Sequence, residues 1–352
     1  MKYIKILALF LLATLVTGMM LSGCGKSATD DGSDEPGEIS EPELQEYPVQ
    51  VGEYTVLGRP RRVVSLSPAL TEKLYDLGLE DRLVGVSNFC DYPSGADRLT
   101  KCGTAWMPDT EVIDELDAHM VISETPLPDE YVTQLREWDI DIVILPHAQS
   151  LDDLYNSYLS LCRIMEGEYA GAEMSAEFLG SLKAWVERLR QSLSGQERKK
   201  ALYILKLPFV VATGDTLEND LMDVIGLDNV LADYKGWQID ETEARGDARA
   251  LFESTEVMYF DTDYLTIKSL EQSDYYKSLQ ATLKDWYLEI DSTILERQSL
   301  RSFRLLLDMA AYAYPEAKLP PLQLSYETSP TNKETSSTGI DDTDDMEDSS
   351  GE

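Results

Sequence analysis

One pattern occurs twice along this chain, and it constrains the fold more than any other feature. Residues 61–79 read Arg-Arg-Val-Val-Ser-Leu-Ser-Pro-Ala-Leu-Thr-Glu-Lys-Leu-Tyr-Asp-Leu-Gly-Leu. A short β-branched run, a Ser-Pro turn, and Leu70, Leu74 and Leu77 at helical spacing before Gly78 predict strand, turn and helix. Residues 207–233 restate the pattern: Ile225-Gly226-Leu227-Asp228 falls where Leu77-Gly78-Leu79-Glu80 stands, at an offset of 148. By that offset Leu83 lands on Leu231, and Ser67 and Asp215 are the polar helix-capping positions. Further on, Met258-Tyr259-Phe260 parallels Met120-Val121-Ile122. Two related lobes are the simplest account, and 352 residues suit two lobes of ~130–150 residues each.

The other apolar pieces fix the class. Leu83-Val84-Gly85-Val86, Met120-Val121-Ile122 and Ile142-Val143-Ile144-Leu145 are short continuous runs separated by helical patterns, as buried strands of a mostly parallel sheet should be. The expected fold is therefore α/β, with two Rossmann-like lobes. Between them, Met174, Phe178, Leu182, Trp185, Leu189 and Leu193 fall at steps of three and four within residues 171–193. That stripe predicts one amphipathic helix ~30 Å long, enough to serve both lobes as a stiff spine with its apolar face in the core. The organisation expected is a signal segment (1–24), an acidic tether (25–58), an amino-terminal lobe (59–169), the backbone helix (170–197), a carboxyl-terminal lobe (198–325) and a disordered acidic tail (326–352).

The amino end decides the compartment. Lys2 and Lys5 precede the apolar run Ile6-Leu7-Ala8-Leu9-Phe10-Leu11-Leu12-Ala13, which gives way to Leu21-Ser22-Gly23-Cys24. This is the signature of an export signal, and its end resembles the bacterial lipoprotein box. The resemblance implies that Cys24 becomes a lipid-bearing amino terminus and that the body sits outside the cell, anchored to the membrane. Residues 25–47 carry eight acids against one lysine and are rich in Pro, Gly and Ser, a composition that behaves as an extended tether. Residues 327–352 carry nine acids against one lysine. Over the whole chain 30 Lys and Arg face 65 Asp and Glu, a net charge of −35. Phosphate neutralisation needs clustered cations, so nucleic acid is excluded as a partner, and a patch for anionic lipids is equally unsupported.

Catalytic chemistry has no visible carrier. His119 and His147 are the two histidines, with no HExxH and no CxxC, so neither a zinc site nor a redox pair is expected. No GxSxG elbow, GxxxxGK[ST] loop or GxGxxG turn occurs. Gly214-Asp215-Thr216 follows a strand and opens a helix, where a single glycine more often permits a turn than binds an anion. Cys90, Cys102 and Cys162 remain after lipidation; Cys90 and Cys102 are near enough in sequence to pair, but spacing does not decide it. The expectation is a protein that is not an enzyme and needs no cofactor. Its rivals are a metal- or redox-dependent enzyme on the same scaffold, since fold does not fix function, and an anchored scaffold with no ligand.

A family resemblance sharpens this. Val63-Val64-Ser65-Leu66-Ser67-Pro68-Ala69-Leu70-Thr71-Glu72, then Gly85-Val86-Ser87-Asn88-Phe89-Cys90-Asp91-Tyr92-Pro93, then Trp106 ahead of Glu111-Val112-Ile113, resemble the substrate-binding proteins of ABC importers for corrinoids, haem and ferric siderophores. Gly226-Leu227-Asp228-Asn229-Val230 resembles that family's second-lobe signature, and the resemblance covers residues 59–313. Asp91-Tyr92-Pro93 and Trp106 are most similar to the cobalamin-binding branch. The resemblance implies a ligand cleft between lobes, with Pro68, Ala69, Phe89 and Trp106 on one side and Trp237 and Arg297 on the other. It implies a monomeric receptor that carries a small-molecule metal chelate, a cobalt corrinoid or else an iron chelate, to the permease subunits of an ABC importer. A large flat macrocycle gains mostly from aromatic and apolar area, whereas an anionic siderophore asks for several Arg or Lys. Glu124 stands where the corrinoid binders place an aromatic, so that wall is lost and hydrogen-bond acceptance replaces it. Haem is the alternative cargo, with His147 or a tyrosine as iron ligand. The family also docks through one acidic residue per lobe. Glu111 matches the first-lobe position; for the second, Glu243 fits by spacing from Trp237 and Asp247 by spacing before Ala250-Leu251.

Overall fold

The computed structural model describes residues 45–324. The expected signal segment with Cys24, most of the expected tether and the expected acidic tail lie outside the described residues. Five parallel strands form the first sheet, in the order Thr100–Lys101, Leu83–Val86, Val63–Ser65, Met120–Ser123, Asp141–Ile144. Val63–Ser65 and Met120–Ser123 are buried at every position, which is why their sequences run apolar without alternation.

The second sheet is built on Lys199–Lys206. Leu227–Asn229 pairs parallel with one half of its edge and Val210–Val211 antiparallel with the other half. On its far side lies Val257–Asp261, followed by Tyr287–Ile290, both parallel. The internal repeat is thus real in the plan of the sheets: Val63–Ser65 lies between Leu83–Val86 and Met120–Ser123 as Lys199–Lys206 lies between Leu227–Asn229 and Val257–Asp261. The helices after the central strands, Pro68–Asp76 and Leu217–Val224, both run into a glycine in the left-handed region, Gly78 at φ +69° and Gly226 at φ +73°.

The offset of 148 nevertheless misplaces some residues. It matches Val63–Ser65 with residues 211–213, but the lobe's central strand is Lys199–Lys206. The chain turns back through Leu207 and Pro208 and launches the helix from the short return strand. Thr216, not Asp215, caps that helix, its hydroxyl oxygen accepting from the Asn219 N–H; Asp215 instead accepts from the Gly236 N–H and the Thr213 hydroxyl. Leu231 follows a strand whereas Leu83 begins one.

The long helix is Glu168–Leu193, and Gly167, at φ +107°, separates it from the helix Leu151–Glu166. Phe178, Leu182, Trp185 and Leu189 are wholly buried and Met174 is half-buried. Phe178 meets Tyr158 of the preceding helix at 4.8 Å between ring centroids, and Trp185 meets Phe303 of Leu300–Ala313 edge-on at 5.9 Å. One hydrophobic core therefore runs from Val63 and Ile122 through this helix to Tyr203, Tyr259 and Phe303. The expected tether, bounded at residue 58, overlaps folded structure at its end. Val49–Val51 and Tyr54–Val56 form an antiparallel hairpin, with Val49 and Val56 buried in the core and the Tyr47 hydroxyl donating to the Ile164 carbonyl. Two strands of three residues leave too little alternation to read from sequence. Among the described residues no helix is long and apolar enough to cross a membrane.

Candidate functional site

The carboxyl ends of the first sheet's parallel strands open onto a cavity of about 540 Å³, the edge where open α/β sheets place ligands. From that edge come Pro68 and Ala69 after Val63–Ser65, Glu124 after Met120–Ser123, and His147 beyond Asp141–Ile144; Phe89, in the loop after Leu83–Val86, completes this wall. The opposing wall is Tyr203 and Leu205 of the second sheet's central strand, Glu218, Trp237, and Thr293, Glu296 and Arg297 at the Ser292–Glu296 helix.

Glu124 is fixed rather than free. Its Oε2 accepts from the Ser67 hydroxyl at 2.6 Å, and its Oε1 lies 3.3 Å from His147 Nδ1. Burial alone would raise this carboxyl, but the His147 and Ser67 hydrogen bonds and the charge of Lys73 prevail and hold it below the usual range. Across the cavity the balance reverses. Burial pushes Glu218 up to about 7, with Glu296 adding like charge and its own backbone N–H, His147 and the Thr216 hydroxyl only partly opposing. Glu296 is raised as well, first by burial and then by Asp261. Trp237 packs edge-on to Tyr203 at 6.3 Å.

Arg297 joins the two walls. Its Nη1 donates to the Phe89 carbonyl at 3.2 Å and its Nη2 reaches Asp91 Oδ1 at 3.4 Å. The next residues bind the first lobe more tightly. Gln298 exchanges two hydrogen bonds with the backbone of Ala148, at 2.9 and 2.8 Å. Ser299 Oγ donates to Glu72 Oε2 at 2.7 Å, the Leu300 N–H donates to Asp76 Oδ2 at 2.9 Å, and Arg301 Nη2 lies 3.1 Å from Glu72 Oε1.

Of the expected ligand residues, Pro68, Ala69, Phe89, Trp237 and Arg297 all line the cavity. Trp106 does not. It sits at the turn between Gly103–Thr104 and Met107–Pro108, 67% exposed, because the hairpin closes on itself and carries the indole outward. The pairing of Asn88 with Gly103 sets this hairpin beside the Phe89 loop. Glu218, Glu296 and Thr293 escaped sequence reasoning; two more carboxylates among 65 acids carry no mark. Tyr203 and Leu205 escaped because the offset drew attention to the return strand. Glu111, in the first turn of Thr110–Glu115, and Glu243 and Asp247, at the Glu241–Arg245 helix, are all exposed.

Cys90, Cys102 and Cys162 are free thiols, all buried. Burial pushes Cys102 up to about 11 and Cys162 up to about 12, which makes them poor nucleophiles at neutral pH. Among the described residues no group of three or more His, Cys, Asp or Glu is placed to hold a metal ion.

Two α/β lobes on a continuous helical spine, with a cavity between them at the strand ends, define a protein that captures a ligand between its lobes. The chain belongs to the periplasmic binding protein family, whose sequence profile matches residues 63–248. An uncharacterized ABC transporter substrate-binding lipoprotein of Bacillus subtilis is 26% identical over 320 residues, 86% of this chain and 96% of that protein. A vitamin B12-binding protein of Pectobacterium carotovorum is 26% identical over 178 residues, 49% of this chain and 63% of its own length. A periplasmic haem-binding protein of Roseiflexus superposes with a TM-score of 0.59 at 20% identity, covering 74% of this chain and all of that one. Family membership and the lipoprotein relative point to an extracytoplasmic location.

Proposed function

We propose that this protein is the substrate-binding component of an ABC importer, held to the membrane through lipid on Cys24 and divided into the lobes and spine set out above, and that its cargo is a corrinoid. The observation that carries the reading is the wall chemistry of the cavity: Phe89, Tyr203, Trp237, Leu205, Pro68 and Ala69 supply apolar and aromatic area, while Arg297 is the one Arg or Lys among its lining residues. Such a wall suits a broad, mostly uncharged macrocycle oriented by a few polar contacts. It offers little to an anionic catecholate or citrate complex. The B12-binding relative supports the same cargo. His147 beside the cavity favours a second reading, haem, since an imidazole is a common iron ligand.

Titration calorimetry of the body beginning after Cys24, against cyanocobalamin, haemin and a ferric siderophore, is the test. One-to-one cobalamin binding is expected, weakened about tenfold or more in Trp237→Ala through loss of aromatic area. Response to haemin alone would remove the corrinoid assignment and keep the receptor. For the permease, reversing the charge of Glu111 to Lys is expected to cut uptake in cells while ligand affinity in solution stays within about twofold, because exposed docking charges steer partners rather than shape the cavity. Uptake unchanged by Glu111→Lys would refute that role.

A further inference from the structure

We infer that the cavity discriminates by ligand charge: Glu124, Glu218 and Glu296 form an acidic lining that accepts hydrogen bonds from peripheral amide groups of a chelate and rejects the same chelate bearing carboxylates. This rests on the corrinoid reading above and adds to it the chemistry of the ligand's edge.

The three carboxylates come from both walls, so a flat ligand lying between the lobes meets them at its rim wherever it carries side chains. Glu124 is held ionised by its bonds to Ser67 and His147. Glu218 is only 8% exposed and lines the cavity. A buried carboxylate gains most from a ligand that donates to it and loses most from one that brings like charge. The cations that would welcome a ligand carboxylate are engaged elsewhere. Arg297 already donates to the Phe89 carbonyl and meets Asp91; Lys73 is wholly buried and donates to Ser157 Oγ at 3.2 Å; Lys101 donates to the Cys90 carbonyl. The raised position of Glu218, about 7, means that above pH 8 it is largely ionised, and the discrimination is then at its fullest.

The experiment measures a ratio of affinities at pH 8 for dicyanocobinamide and dicyanocobyrinic acid, which share the ring and metal while peripheral amides in the first are carboxylates in the second. The amide form is expected to bind about 100-fold more tightly, with Glu218 and Glu296 together carrying about tenfold of that ratio and Glu124 the rest. In Glu218→Gln/Glu296→Gln the ratio should fall about tenfold; because it is a ratio, a general loss of affinity in the variant cancels. Equal affinities, or a ratio unmoved by the double substitution, would overturn the inference. Haemin and its dimethyl ester separate this failure from failure of the corrinoid reading. If neither corrinoid binds and the ester binds more tightly than haemin, the corrinoid assignment fails and the charge rule stands. Tight binding of haemin with both propionates free overturns the rule whichever chelate is the cargo, and binding of no chelate overturns rule and receptor together.

Discussion

Lowering the pH from 8 to 5 stabilises this protein, by about 2–3 kcal/mol for each of two acids that loss of water holds far above their ordinary range. Asp76 and Glu218 are both held near 7, far above their ordinary values of 3.8 and 4.5, and burial is the first cause in each. Asp76 lies under the inter-lobe strap, where its Oδ2 accepts from the Tyr158 hydroxyl at 2.7 Å and from the Leu300 N–H at 2.9 Å. Those bonds favour the ionised form but do not overcome the loss of water. In the unfolded chain the same groups release their protons near pH 4, so from there to about 7 the folded state binds more protons and each rise in pH removes stability. Glu72, also raised by burial despite Ser299 and Arg301, acts in the same direction. Glu124 is depressed, and its contribution is lost only as pH falls through its lowered value, below this window. Lys73, depressed by burial, works in the opposite sense between its lowered value and the ordinary 10.5. The net charge of −35 adds self-repulsion that acid relieves. Urea unfolding at pH 5, 6.5 and 8 checks the trend. Asp76→Asn, whose amide oxygen can still accept from Tyr158 and Leu300, should flatten the slope. A curve that rises toward pH 8, or an Asp76→Asn curve as steep as the parent, would sink the account.

These acids show why the sequence yielded the fold more readily than the site. Leu70, Leu74 and Leu77, or Phe178, Leu182, Trp185 and Leu189, announce helices because burial on one face imposes a period that survives in one dimension. Val63-Val64-Ser65 and Met120-Val121-Ile122 announce strands because both faces of a parallel sheet are covered. Glu72, Asp76, Glu124 and Glu218 have no such period; what distinguishes them from the other acids is depth, and depth depends on contacts such as Glu72 to Arg301 that join residues far apart in the chain. The cavity lining was legible only through resemblance, which reached Pro68, Ala69, Phe89, Trp237 and Arg297 because those follow motif positions at strand and helix ends. Trp106 shows the limit of that route. Motif similarity carries an aromatic to this loop, and the hairpin of Gly103–Thr104 with Met107–Pro108 then decides which way it faces.

Trp185→Ala is expected to cost about 4 kcal/mol of folding stability, a large effect for a single side chain. The indole is wholly buried at the middle of the spine helix, edge-on to Phe303, and its Nε1 donates to the Pro321 carbonyl at 3.0 Å. Truncation opens a cavity in the core shared by both lobes and leaves that carbonyl without its partner. Trp185→Phe keeps most of the apolar contact and loses only the donor, so it should cost about 1–2 kcal/mol. Denaturant midpoints at an unchanged slope distinguish the two variants, and a loss below about 1.5 kcal/mol for the alanine would show that the helix is not fastened to the second lobe here. The consequence reaches the cavity. The spine is one unbroken helix of 26 residues without proline, and the Gln298–Leu300 strap ties the second lobe to Ala148, Glu72 and Asp76. A ligand-binding protein fastened at both places has little room for wide hinge opening. Its specificity must then come from groups already standing in the cleft, which is the condition under which fixed carboxylates such as Glu124 can select among ligands of one shape by the charge at their edge.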